Sequence, residues 1–171
     1  MIKFQRLPKD LRRRLVDPHD ALGRWSSVHP ALSLCLPLPI YKLDNSKSKQ
    51  PKLLGWSFTV TFAGGIAGSI EMLGSDATRS PLSTRNGRSA AEAVHTRLEE
   101  LAIAPGSIVF RPALLLVPET RMRYIWLRAP GDGERFVPVI HELRSLTREE
   151  FDADCAIRRE HAAIGRPGVH G

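Results

Sequence analysis

Trp56-Ser57-Phe58-Thr59-Val60-Thr61-Phe62 alternates large apolar side chains with small hydroxyl-bearing ones. A period of two is the mark of a β-strand with one face turned toward a core. Directly behind it, Ala63-Gly64-Gly65-Ile66-Ala67-Gly68 supplies turn geometry, so Ile70 to Leu73 can return as the second strand of a hairpin. The same six residues loosely follow a dinucleotide-binding turn. Such a turn must open into a helix and be answered by an acidic residue about 20 positions on. Here Gly74-Ser75 follows the apolar run, and Arg85 and Arg88 stand at that distance. A hairpin is the expectation.

Upstream, leucines recur at every second position from Leu32 to Leu38, a strand pattern interrupted by Pro37 and Pro39. Proline donates no ladder hydrogen bond, which predicts an edge strand over Ala31 to Leu43. Asp44 to Lys52 is polar and lysine-rich, a loop by composition. Earlier still, Leu7, Leu11 and Leu15 fall at fourfold spacing with Lys9, Arg12, Arg13 and Arg14 beside them. This predicts a short basic amphipathic helix ended by Pro18.

Downstream, Ser89-Ala-Ala-Glu92 matches a helix-capping box, followed by an apolar stripe of Ala91, Val94, Leu98 and Leu101. Ile108 to Val117 reads as a strand. Tyr124 to Leu127 and Phe136 to Ile140 flank the turn residues Pro130-Gly131-Asp132-Gly133 and predict a second hairpin. Thr147-Arg-Glu-Glu150 is another capping box and opens a helix with Phe151, Cys155 and Ala162 on one side. This order predicts an α+β fold: a mostly antiparallel or mixed sheet of about six strands, with two main helices on one face and a short basic N-terminal helix. The expected divisions are a basic N-terminal segment with edge strand and polar loop (1–52), an α+β core (53–164) and a disordered tail (165–171). No internal repeat is evident at periods of about 20 to 50 residues.

The 171 residues, 42% hydrophobic and 25% charged, suit one globular core and argue against a fibrous or disordered chain. No apolar run reaches the roughly 18 residues of a membrane helix, and the basic N-terminus meets Asp10, Asp17 and Asp20 where a secretory leader would be apolar. The expectation is a cytoplasmic protein with no membrane partner. Cys35 and Cys155 form no paired motif; two thiols are the simpler reading, and a disulfide needs the fold to bring them together.

Charge is unevenly distributed. Residues 1–60 hold eleven Lys and Arg against four Asp and Glu, while the remainder is balanced, so the net charge of +7 belongs to the N-terminal third. The six histidines lack ligand spacing, and neither a nucleophile elbow nor a phosphate loop is present. Neither cofactor nor metal is expected. An enzyme would need Cys155, His141 or Glu142 to meet distant partners in the fold. The basic third instead points to binding: Lys9, Arg12, Arg13, Arg14, Lys47, Lys49 and Lys52 suit an acidic protein partner, or the phosphates of a nucleic acid. They equally suit a solvated basic face. Tyr41, Trp56, Trp126 and Phe136 lie on predicted strands and are expected to pack in the core. The sequence does not indicate an oligomeric state.

Leu38-Pro-Ile-Tyr41, Gly55-Trp-Ser-Phe58, Trp126-Leu-Arg128 and Phe136-Val-Pro138, in this order, resemble a pattern in uncharacterised bacterial proteins. The resemblance covers about residues 36–140 and rests on aromatic, Pro and Gly positions. It implies a shared fold and brings no activity with it.

Overall fold

The computed structural model describes residues 1–9, 11, 32–43, 50–73, 88–103, 108–120, 122–131, 133–140 and 144–164. Six strands build one mixed sheet: β1 (Leu32–Lys42), β2 (Lys52–Phe62), β3 (Gly65–Leu73), β4 (Arg111–Val117), β5 (Met122–Arg128) and β6 (Glu134–Pro138). Their spatial order is β3-β2-β1-β4-β5-β6. Two helices, α1 (Arg88–Ile103) and α2 (Arg148–Ile164), complete the α+β architecture.

The hairpin expected at Trp56 is there. Ala63 and Gly64 both take positive φ, 47° and 81°, the requirement of a two-residue turn whose twist matches the strands it joins. No helix opens after this turn, so the dinucleotide-binding geometry is absent. β3 begins at Gly65, five residues before the apolar run that announced it.

All neighbours pair antiparallel except β1 and β4, which run parallel through Ile40–Lys42 and Leu114–Leu116 alone. Each side of that junction is therefore a three-strand meander followed by a helix. A half-turn about an axis along the junction exchanges the two meanders and turns the sheet over. The helices accordingly lie on opposite faces, which corrects the expectation of helices on one face. Leu98 of α1 packs with Leu38, Ile40, Leu114, Ile125, Leu127, Val137 and Val139. Phe151 and Cys155 of α2 pack with the alternate residues Ala113, Leu115, Val117, Tyr124, Trp126 and Phe136. Ala162, expected on that side, is exposed.

β1 is not an edge strand. It sits between β2 and β4, and its prolines are tolerated because the β4 ladder starts only at Ile40. Before that point β1 is irregular, with a register shift between Cys35 and Leu38 and a positive φ of 50° at Leu36. Where β1 and β4 are not paired, the chain's first residues approach. Lys3 N donates to Phe110 O at 2.8 Å and Phe110 N to Met1 O at 3.0 Å. Lys9 and Leu11 are helical, and Leu7 and Leu11 pack on Trp56, Phe58 and Met72, beside α2's face. Of the helix predicted over residues 5–16, residues 5–8 are not helical, and residues 10 and 12–16 lie outside the described residues, as does the 165–171 tail.

The two capping boxes behave differently. Thr147 N donates to Glu150 Oε2 (2.9 Å) while Glu150 N donates to Thr147 Oγ1 (3.3 Å), the full reciprocal box. α1 starts at Arg88, two residues before the Ala90 that a Ser89 cap predicts, and Glu92 accepts from Arg88 Nε instead (2.7 Å).

Gly55 of β2 lies hard against the backbone of β3. A Cβ there would lie 1.9 Å from the Met72 carbonyl oxygen, whereas at Gly65 the nearest atom is 3.7 Å away. Gly55→Ala is expected to destabilise the fold by at least about 2 kcal/mol, and Gly65→Ala by under about 1 kcal/mol. Urea unfolding of both variants checks this; equal midpoints would contradict the register.

Candidate functional site

Of the basic residues singled out in the sequence, Lys9 and Lys52 are described, and both are exposed. Lys9 belongs to the segment lying over β2 and β3, and Lys52 is the first residue of β2. Arg12, Arg13, Arg14, Lys47 and Lys49 lie outside the described residues, as do His141 and Glu142. Within residues 1–9, Ile2, Gln5 and Leu7 are half-buried, while Lys3, Arg6 and Lys9 are exposed, as are Met1 and Phe4.

The α1 face carries polar groups where an alternating strand usually meets water. Ser57 and Thr59, the hydroxyl side of the opening stretch, are 6% and 5% exposed. With Ser69 and Arg123 they line a cavity of about 310 Å³ whose apolar wall includes Ala91 and Val94 of α1. Beside it Arg123 NH1 donates to Glu71 Oε1 at 2.6 Å, and Glu71 is 2% exposed. β3 and β5 are four strand steps apart, about 19 Å on a flat sheet. The two side chains nonetheless meet across β2, β1 and β4, so the sheet is far from flat here.

On the α2 face an aromatic column runs across the sheet. Trp126 and Phe136 stack at 6.3 Å, Phe136 and Phe151 at 4.1 Å, and Tyr124 meets Phe151 edge-on at 5.0 Å. Tyr41 closes the other end, edge-on to Trp126 at 5.2 Å. These are packing roles, as expected for Tyr41, Trp126 and Phe136, and Trp56 is likewise buried. Polar tips of the column are all engaged. Trp126 Nε1 donates to Glu134, which also receives Arg148 Nε at 2.8 Å, and the Arg148 guanidinium lies 4.6 Å from the Phe136 centroid.

No family model, curated protein or solved structure matches this chain. Its chemistry has to be judged from its own side chains. Tyr124 donates to Asp154 Oδ2 at 2.7 Å, and Arg158 Nε reaches both oxygens of Asp154 at 2.8 and 2.9 Å. Burial raises the Asp154 pKa, but the hydrogen bonds from Arg158 and Tyr124 outweigh it and hold the carboxyl below its ordinary range. Tyr124 is pushed well above the usual phenol range by burial and by its bond to Asp154. Cys155, 1% exposed, is pushed up to about 11 by burial. Its thiol stays protonated near neutral pH, the opposite of an activated nucleophile. Among the described residues no three His, Cys, Asp or Glu side chains gather as metal ligands, and no helix is long and apolar enough to cross a membrane.

A second arginine, missed from the sequence, stands at the edge of the column. The Arg128 guanidinium carbon lies 4.8 Å from the ring centroids of both Tyr41 and Trp126. Its NH1 donates to Tyr41 Oη (3.1 Å) and its NH2 to Gln5 Oε1 (3.2 Å). Gln5 thereby ties the basic N-terminal segment to β5.

Two outcomes follow from this geometry. Iodoacetamide at pH 7.5 is expected to leave Cys155 unmodified in the native protein and to label it in denaturant, read by mass spectrometry; native labelling at a free-thiol rate would contradict the burial. The Asp154 carboxyl, with its lowered folded pKa, contributes stability that is complete above the ordinary aspartate pKa and lost as pH falls through the folded value. Asp154→Asn is expected to flatten that acid limb of the stability curve, measured by urea midpoints between about pH 6 and pH 2.5.

Proposed function

We propose that this chain is a non-enzymatic binding or accessory protein that engages an acidic protein partner through its basic N-terminal region. One observation carries the reading: the first residues are anchored to the sheet while their cations face outward. Backbone bonds at Met1 and Lys3 fix the segment to Phe110, and Leu7 and Leu11 seat it on Trp56, Phe58 and Met72. Lys3, Arg6 and Lys9 are then presented from a held backbone. A pre-positioned row of charges loses less conformational entropy on binding than a loose tail does. Arg12, Arg13 and Arg14 follow this segment directly in sequence, and with Lys47, Lys49 and Lys52 they raise the positive charge of the N-terminal third and its long-range attraction for an acidic surface. Cys35 and Cys155 as free thiols fit a cytoplasmic setting.

The test uses defined probes. Fluorescence anisotropy with a labelled polyglutamate peptide, and in parallel with duplex DNA and single-stranded RNA, is followed across a salt series. The expected result is peptide binding that weakens steeply with salt and falls about tenfold or more when Lys3, Arg6 and Lys9 are changed together to Glu. Binding that ignores salt, or that survives the charge reversal, contradicts the proposal. Nucleic acid bound while the peptide is not would make nucleic acid the partner instead.

A further inference from the structure

Arg111 and Arg128 are direct cross-strand partners on β4 and β5. Like charges in that position repel, and ordinary sheets place opposite or neutral residues there. Both arginines line one cleft of about 280 Å³, together with Gln5, Ala129 and Pro130, and none of these lining residues is acidic.

The nearest carboxylate along the same row does not resolve the repulsion. Glu134 on β6 is the cross-strand partner of Arg128, yet its oxygens are taken by Trp126 Nε1 and by Arg148. Arg128's own hydrogen-bond acceptors, Tyr41 Oη and Gln5 Oε1, are both neutral. Its Nε is buried and has no partner among the described residues. Arg111 is exposed, and no ion pair to it is found among the described residues. Among the described residues the cleft thus holds two guanidinium groups and no carboxylate in its lining.

We propose that the Arg111–Arg128 cleft binds one oxyanion, a carboxylate or a phosphate group. Guanidinium groups offer planar pairs of N–H donors matched to two oxygens of such a group. Arg128 is held for the task by the rings of Tyr41 and Trp126, which fix its plane, while Arg111 supplies an adaptable second donor from the rim. Gln5 contributes too. Its carbonyl is committed to Arg128, which leaves its amide NH2 to donate to the anion. Bound charge between the two arginines converts a cross-strand repulsion into two attractions. The site is distinct from the row of Lys3, Arg6 and Lys9: it is a cleft for one group, where that row is an open surface.

Thermal unfolding of the full chain in phosphate, acetate or chloride at matched ionic strength tests the site. Phosphate or acetate is expected to raise Tm saturably while chloride does not, and whichever saturates at lower concentration identifies the source of the oxyanion. Arg111→Gln, at an exposed position, is expected to keep the fold by circular dichroism and to need about tenfold more anion or greater. Arg111→Glu is expected to melt higher than the parent at low salt without added anion, since the repulsion is removed. The variant with Lys3, Arg6 and Lys9 changed to Glu is expected to retain the saturable response, so a failure of the cleft and a failure of the partner-binding surface are read separately. Identical Tm in all three salts overturns the proposal, as does an Arg111→Gln protein that responds to phosphate like the parent.

Discussion

Among the described residues, a ladder of three residue pairs joins the two halves of this sheet. Ile40–Lys42 runs parallel to Leu114–Leu116, and every other ladder is internal to one meander or the other. So short a ladder is weak in hydrogen bonds alone. What makes it sufficient is burial on both sides: Ile40 and Leu114 close the α1 face and Leu115 closes the α2 face, each 2% exposed or less. The first residues of the chain border this junction, because β1 pairs with β4 only from Ile40 onward and the segment at Met1–Lys3 bonds to Phe110 just before β4. The basic N-terminal residues are consequently part of the sheet's margin.

The two faces divide the chemistry. The α1 face holds a cavity with Ser57 and Thr59 in its lining and a Glu71–Arg123 pair that reaches across the sheet, its carboxylate buried. The α2 face is an aromatic column whose cationic neighbours, Arg128 and Arg148, differ in their company: Arg148 has Glu134, while among the described residues Arg128 donates to the neutral Tyr41 and Gln5. That asymmetry, on one continuous stack of rings, separates a structural arginine from one still able to take up an anion.

Much of the fold was legible because alternation and capping are local. The Trp56–Phe62 strand, its glycine turn, the Pro130–Gly133 turn and the Thr147–Glu150 box each announce themselves within a few residues. Strand position in the sheet is a non-local property, and there the reading of β1 failed. Pro37 and Pro39 do exclude a full ladder on both sides, but a central strand can meet that constraint by pairing with β4 over its last residues alone. The side of the sheet taken by each helix was equally out of reach, since it follows from the half-turn relating the meanders, whose sequences show no repeat. The hydroxyls of Ser57 and Thr59 looked like a solvated face because nothing nearby in sequence reveals that α1 covers them. Arg111 and Arg128 were hidden in the charge-balanced part of the chain. Only a β4–β5 register symmetric about Pro118–Arg121 would have opposed them.

Everything proposed for the basic region depends on its being held as part of the sheet. Native-state amide hydrogen exchange by NMR reads this at single residues, through Lys3 and Phe110 at the N-terminal margin and Leu43, which donates to Leu116 O at 2.9 Å beside the junction. Protection of Lys3 and Phe110 in the same range as Leu43 is the predicted result. Exchange of Lys3 near its unstructured rate, with Leu43 still protected, would show a loose basic tail and contradict the account.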